Sequence, residues 1–143
     1  MKPNAINYLS LAKKAGRIEI GEESAGAAAR ACHARLLLVA KDAPDGALRR
    51  ARNFVAGSGQ QLAVVPFSKE ELGAALGKSV VSLAAITDPA LALAFLQALE
   101  DPQRYEGALE DLANRTKRVR QRQLEEKVHQ KNLQRGKRRR QPG

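Results

Sequence analysis

The spacing of apolar residues predicts alternating helices and strands up to about residue 100. In the first helix, over about residues 4–15, apolar side chains recur every three or four positions. Residues 17–42 follow with a short strand, a turn at Gly21, an alanine-rich helix and a wholly apolar strand over 36–40. A continuous apolar run of this length is typical of a strand buried on both faces of a sheet.

The same alternation continues beyond Asp42. The predicted elements are, in order, a helix over about 45–57, a strand over 62–65, a helix from Ser68 to about Leu76, a strand over 80–86 and a helix from Asp88-Pro89 to about Glu100. Glu71 lies three residues after Ser68, which is the spacing of a capping box. This order predicts an α/β fold, with a sheet that is covered by helices on both faces.

The charge distribution changes after Pro102. Residues 1–102 carry 12 Lys and Arg against 10 Asp and Glu, whereas residues 103–143 carry 13 against 5. We therefore expect a domain over 1–102 and a basic extension over 103–143, helical or disordered, that binds polyanions such as RNA. The candidate RNA-contacting residues of this tail are Arg115, Lys117, Arg118, Arg120, Arg122, Lys137, Arg138, Arg139 and Arg140.

Several classes of function find little support in the sequence. The two histidines have no metal-ligand spacing to other candidates, and no nucleotide-binding glycine motif occurs at a strand-to-helix junction. We expect no catalysis, no cofactor and no metal, and we expect the lone Cys32 to be a buried thiol. Without an apolar run of about 20 residues or a secretory signal, a cytoplasmic monomer away from membranes is expected.

Two features point to RNA. The turn at Gly21 leads into a helix whose first residues are Glu22, Glu23 and Ser24, so it offers backbone N–H donors beside carboxylates that can accept from base amino and imino groups. Lys13, Lys14 and Arg17 form a basic cluster that suits either a helix C-terminus or a phosphate-contacting patch beside this turn. Aromatic residues are too scarce for recognition by base stacking on a sheet.

Four segments resemble the kink-turn-binding ribosomal protein superfamily, which includes the archaeal large-subunit proteins "L seven A e" and "L thirty e". These segments are LSLAKKAGRIEIGEES (9–24), ARLLLVAKDA (34–43), FSKEELGAALGK (67–78) and AAITD (84–88). The bacterial YlxQ-like RNA-binding branch is the most similar, and its pattern is matched by Leu9, Leu11, Ala12, Ala15, Gly16, Gly21, Glu22 and Glu23. The resemblance covers about residues 5–100.

The resemblance implies a three-layer α-β-α sandwich with a mixed four-stranded sheet, in which 36–39 and 80–86 are neighbouring buried strands. It also implies a non-catalytic protein that binds kink-turn or internal-loop RNA, with ribosomal or RNA-processing proteins as further partners. The turn at Gly21–Ser24 would meet sheared G·A pairs, and a second loop over 78–82 would pack over flipped-out nucleotides. The further candidate RNA-contacting residues are Lys41, which follows the strand over 36–40, and the second-loop residues Lys78, Ser79, Val80, Val81 and Ser82.

Two other functions stay open at this stage. The domain could be a protein-interaction module that the basic tail tethers to RNA or to the ribosome, in which case the tail would account for all RNA binding. An enzyme fragment is the third reading, because the superfamily fold resembles a domain attached to some RNA 2′-O-methyltransferases. No catalytic domain follows this domain in the sequence, only the basic tail.

Overall fold

The computed structural model describes the backbone of residues 3–140 and the side chains of residues 5–134. In this part of the chain, helices and strands alternate as the sequence predicts. The helices are α1 (Pro3–Lys14), α2 (Glu22–Arg30), α3 (Asp45–Val55), α4 (Lys69–Leu76), α5 (Pro89–Ala98) and α6 (Glu106–Arg140). The strands are β1 (Ile18–Ile20), β2 (Leu36–Val39), β3 (Gln61–Val64) and β4 (Leu83–Ile86).

The four strands form one mixed sheet in the order β1-β4-β2-β3. Strand β4 is antiparallel to both β1 and β2, whereas β2 and β3 are parallel. All residues of β2 and β4 are buried, because these two central strands have helices on both faces. The expected pairing of the strand over 36–39 with the last strand is therefore confirmed, and so is the mixed four-stranded sheet.

The helices lie on both faces of the sheet, which confirms the three-layer sandwich. One core consists of the face of α2 and α3 against the sheet, with Ala25, Ala29 and Ala51 as close-packing side chains. The other and larger core contains side chains from α1, α4, α5 and the start of α6. It also contains Phe67, from the segment between β3 and α4, whose ring centroid lies 6.4 Å from that of Phe95 in α5. Small residues in α2 let this helix approach the sheet closely.

Helix ends follow the local sequence. The Ser68 hydroxyl accepts from the N–H of Glu71, and the Glu71 carboxylate accepts from the N–H of Ser68, so the capping box of α4 is confirmed. Asp88 accepts from the N–H of Leu91 and caps α5, with Pro89 in the first turn. These carboxylates therefore have structural roles, as their positions at helix starts indicate.

Two local predictions are wrong. The last strand begins at Leu83 instead of residue 80. The reason is that the N–H of Val81 donates to Lys69 O of α4 over 2.9 Å, and not to a neighbouring strand. Cys32 is exposed, not buried, because α2 has ended and the chain turns there with a φ of 59°. The C-terminal extension is helical, which is one of the two forms expected, and α6 begins at Glu106.

The beginning of α6 is part of the main core. Tyr105, Ala108 and Leu112 are buried against β3 and α5, and the Tyr105 hydroxyl donates to Val64 O over 2.8 Å. The division after residue 102 stays a prediction, and these contacts show that a chain ending there would lack three core side chains. From Lys117 to residue 134, every α6 side chain is exposed, so this part of the helix projects from the domain.

Candidate nucleic-acid interface

The sheet brings several predicted site residues together at one of its ends, which we call the Gly21 end. Gly21 follows β1 and its N–H donates to Leu83 O over 2.9 Å. Ala40 follows β2 and its N–H donates to Ser82 O over 3.0 Å. The turn after β1, the residues after β2 and the loop before β4 therefore lie side by side. The outer edge beyond the carboxyl ends of parallel strands is where α/β sheets commonly bind ligands.

Gly21 makes the turn that the sequence predicts for it. Its φ of 93° lies in a region that residues with a side chain rarely adopt, so the sharp change from β1 to α2 favours glycine. No side chain caps α2. The backbone N–H groups of its first turn, at Glu22, Glu23 and Ser24, therefore remain available as donors.

The two carboxylates of this turn differ in their surroundings. Glu22 forms a two-point salt bridge with Arg50 of α3, through both carboxylate oxygens. Glu23 is exposed and has no ion-pair partner among the described side chains. Ser24 is exposed as well. Glu23 and Ser24 are thus free to contact a ligand, whereas Glu22 serves to hold α2 against α3.

The loop over 78–82 is fixed to α4 by its backbone. Lys78 N–H donates to Gly73 O over 2.8 Å, and Gly73 lies so close to the loop that an added Cβ would come within 2.7 Å of the carbonyl oxygens of Lys78 and Ser79. Only glycine allows this approach. Val80 is 54% exposed, whereas Val81 is 3% exposed, so Val80 presents an apolar surface to solvent while Val81 anchors the loop in the core.

Cations at the Gly21 end are few. Lys41 follows β2, and its backbone N–H donates to Phe67 O over 2.9 Å. Its side chain is exposed at this end. Lys78 is exposed in the second loop. The interface therefore combines backbone donors, two lysines, Glu23, Ser24 and one exposed valine.

The basic cluster of Lys13, Lys14 and Arg17 is not assembled beside this turn as expected. Lys13 Nζ donates to Leu76 O over 2.7 Å and so stabilises the C-terminus of α4. Lys14 is exposed on the last turn of α1. Arg17 precedes β1 and lies four residues from Gly21, about 13 Å along an extended strand. Phosphate contact by this cluster therefore stays a prediction.

The opposite end of the sheet, which we call the Arg35 end, collects arginines. Arg35 precedes β2 and its N–H donates to Ile86 O over 2.9 Å, while the N–H of Thr87 donates to Arg17 O over the same distance. Helix α6 begins beside Val64, at the carboxyl end of β3, and runs along this strand towards the Arg35 end. There its Arg115 donates to the carbonyl oxygen of Gly59, just before β3, over 3.2 Å. The basic part of α6 thus projects away from the Gly21 turn.

The predicted tail residues have different positions. Arg115 is only 28% exposed and is paired with Asp111, so it is held within the protein. Lys117, Arg118, Arg120 and Arg122 are exposed on α6. The side chains of Lys137, Arg138, Arg139 and Arg140 lie outside the described residues. Sequence reasoning missed Arg35 and Arg50, although the position of Arg35 just before an apolar strand already placed it at a sheet end.

Other chemistry is limited in the described part of the chain. Burial raises the pKa of the Tyr105 phenol above its ordinary value. The charge of Arg104 lowers this pKa and the charge of Asp101 raises it. Within residues 3–140 no group of three or more potential metal ligands occurs, and no helix has the length and apolarity needed to cross a membrane. The Glu71 carboxylate takes part in the capping box of α4 and the Asp88 carboxylate caps α5, as described above.

Comparisons with known proteins give structural neighbours only. No protein-family model and no curated protein sequence matches the chain. A protein of unknown function from Bacillus halodurans superposes with a TM-score of 0.62 at 20% identity, over 68% of this chain and 97% of its own. The 15.5 kD RNA-binding protein of Giardia lamblia superposes with a TM-score of 0.55 at 21% identity, over 75% and 85%. At these identities the similarity is one of fold.

Proposed function

We propose that this chain is a non-catalytic RNA-binding protein that recognises kink-turn or related internal-loop RNA at the Gly21 end. The observation that carries the proposal is the convergence of the Gly21–Ser24 turn, Lys41 and the 78–82 loop at one end of the sheet. The sequence resemblance over residues 5–100 and the fold shared with an RNA-binding protein of Giardia lamblia support it. A cytoplasmic monomer that works with ribosomal or RNA-processing proteins is part of the proposal.

The chemistry of this end suits exposed base edges. Glu23 repels phosphates but accepts hydrogen bonds from amino and imino groups, such as those exposed by sheared G·A pairs. The free N–H groups at the start of α2 donate to base or phosphate oxygens. Val80 offers an apolar surface on which an unstacked base can pack, and Lys41 and Lys78 are placed for the flanking phosphates.

The test measures binding of the full chain to a kink-turn RNA and to the same RNA with its G·A pairs replaced. We expect the intact RNA to bind at least about tenfold more tightly, since losing two or more base contacts costs 1–3 kcal/mol each. Glu23→Gln should reduce this preference, because the amide replaces an acceptor oxygen by a donor. Glu110→Gln, an equal charge change at an exposed position of α6, should leave the preference unchanged. Equal binding of both RNAs by the wild type would contradict kink-turn recognition.

One observation favours the second candidate, a protein-interaction module tethered to RNA by its tail. The exposed basic part of α6 leaves the domain at the Arg35 end, so it can bind RNA without involving the Gly21 turn. Such a module would bind both RNAs equally, with a steep dependence on salt, and Glu23→Gln would not change its affinity for either RNA. The same measurements therefore separate the two functions.

A further inference from the structure

We propose that Arg35, Arg118 and Arg122 form a groove that binds the phosphate backbone of RNA at the Arg35 end. This inference rests on the proposed RNA binding and adds a second contact surface to it. The groove has a volume of about 160 Å³. It is lined by Arg35, Thr87, Pro89, Arg115, Arg118, Val119 and Arg122.

Two separate parts of the chain build this groove. Arg35 and Thr87 come from the sheet, where backbone hydrogen bonds to Ile86 and Arg17 hold them in place. Arg118 and Arg122 lie one and two turns beyond Arg115 on α6, so they share one face of the helix. Leu112 and Thr116, both buried, fix that face towards the domain. The arginines therefore converge because α6 is docked, not because the tail is basic.

The charges of the groove are not balanced by carboxylates. Arg115 is neutralised by Asp111 over 2.7 Å, and its other contact is the Gly59 carbonyl. Arg35, Arg118 and Arg122 have no carboxylate within 4.0 Å among the described side chains. Asp88, next to Thr87, is occupied with the N–H of Leu91. Guanidinium groups bind phosphate oxygens through two parallel hydrogen bonds, so a phosphate fits this unpaired set.

The surroundings of the groove favour a long polyanion over a small anion. Beyond the groove, α6 continues as an exposed helix with further cations, including Arg120, Lys127 and Lys131. An RNA backbone presents phosphates at regular intervals and can follow the helix out of the groove, releasing counterions at each contact. The exposed apolar residues of α6 are sparse, which makes insertion into an anionic membrane the weaker alternative.

The two surfaces then have separate tasks. The ends of the sheet are about 13 Å apart along β2, so one RNA reaches both only if it extends along the sheet. Phosphate contacts carry no sequence information, whereas base contacts do. The groove should therefore add affinity for intact and altered RNAs alike, and the Gly21 end should supply the preference between them.

The experiment uses the full chain with Arg35→Gln, Arg118→Gln and Arg122→Gln combined. The matched control combines Arg30→Gln, Arg49→Gln and Arg52→Gln, which removes the same charge from exposed positions of α2 and α3 outside the groove. Both are titrated with the intact and the G·A-replaced RNA at several salt concentrations. We expect the groove variant to bind both RNAs about tenfold or more weakly, with a log–log salt slope reduced by about 2. The control should lose less than about threefold.

Equal losses in the two variants would overturn the groove, because they would show a diffuse cationic surface. Unchanged RNA affinity with lost binding to anionic lipid vesicles would overturn it in favour of a membrane contact. If the triple variant unfolds, Arg118→Gln with Arg122→Gln, both at exposed positions, decides the question by the same criteria. A wild type that binds both RNAs equally contradicts the proposed kink-turn recognition, yet the loss in the groove variant is still measured on either RNA.

Discussion

The two ends of the sheet differ in chemistry although they belong to the same four strands. The Gly21 end has a glycine turn, a free carboxylate at Glu23 and two exposed lysines. The Arg35 end has a groove with four arginines and no acidic residue in its lining. A surface with a free carboxylate is poorly suited to bind phosphates by charge alone, whereas an arginine groove cannot distinguish one base from another.

If the Gly21 end binds RNA as proposed, this difference separates base recognition at that end from non-specific attraction of RNA at the other end. At the Gly21 end, Gly73 lets the 78–82 loop pack closely against α4, and a salt bridge joins the start of α2 to α3. The exposed cationic part of α6, which leaves the domain at the Arg35 end, should increase encounter rates and affinity for any polyanion. Helix α6 connects the two ends, since its first turns pack beside the carboxyl end of β3 and its later turns pass Arg35.

The largest expected effect concerns the docking of α6. Leu112 is fully buried, so Leu112→Ala should lower the free energy of unfolding by about 2–5 kcal/mol and loosen the helix that carries the groove arginines. Leu124→Ala, at a position 59% exposed on the same helix, should change it by less than about 0.5 kcal/mol. Urea unfolding of both variants measures the difference. Equal, small effects would show that α6 is not docked in solution.

The next effect concerns the loop at the Gly21 end. A Cβ at Gly73 would overlap the backbone of Lys78 and Ser79, so Gly73→Ala should cost about 1–3 kcal/mol in unfolding free energy and displace the loop. Gly107→Ala is the matched control, because an added Cβ there meets nothing within 4 Å. It should be neutral or stabilise by up to about 1 kcal/mol.

RNA binding of these two variants sharpens the comparison of the ends. Gly73→Ala should reduce the preference for the intact kink-turn RNA and lower the salt slope of binding by no more than about one phosphate contact, that of Lys78, since the groove is at the other end. Gly107→Ala should leave both properties unchanged. A Gly73→Ala protein with unaltered preference would show that the 78–82 loop takes no part in recognition.

A smaller effect is expected where α6 enters the core. Tyr105→Phe removes the hydrogen bond to Val64 O and should cost about 0.5–1.5 kcal/mol at neutral pH. Burial raises the pKa of Tyr105, so the neutral phenol is favoured in the folded state. Its contribution is complete below the ordinary pKa near 10 and is lost as the pH rises through the raised pKa.

The pH dependence provides the check for Tyr105. The stability difference between wild type and Tyr105→Phe should be constant below about pH 10 and should shrink above it. Thermal or urea unfolding at a series of pH values measures this difference, and all other titrating groups cancel in the subtraction. A difference that stays constant or grows above pH 10 would contradict a buried, hydrogen-bonded phenol.

Much of the fold could be predicted from local sequence, because each element has its own pattern. The apolar run of β2, the Ser68 capping box and the Asp88-Pro89 helix start are contained within a few residues. The beginning of α6 was harder. Tyr105, Ala108 and Leu112 have helical spacing, but the charged composition that follows them hides this short apolar stripe. Composition averaged over a segment therefore missed a docked helix.

The interface was predictable only where its parts are adjacent in the sequence. The glycine turn and the first residues of α2 are consecutive, so their proximity needs no tertiary information. The Arg35 groove depends on how α6 crosses β3, which no local pattern encodes. Lys13 shows the same limit, because its partner Leu76 O is 63 residues away. Which strand ends lie side by side depends on the strand order of the sheet, and local sequence patterns do not encode that order.

The smallest expected effect separates the two carboxylates of the Gly21 end. Glu22→Gln removes one partner of the exposed salt bridge with Arg50, so it should cost only about 0.2–1 kcal/mol, and less at high salt. It also frees the Arg50 charge, so affinity for both RNAs should rise slightly and equally. Glu23→Gln has no salt bridge to break and should leave stability unchanged while it alters the preference between the RNAs. If the two substitutions change stability and preference alike, the turn acts as one acidic surface, and the distinction between a structural Glu22 and a recognising Glu23 is wrong.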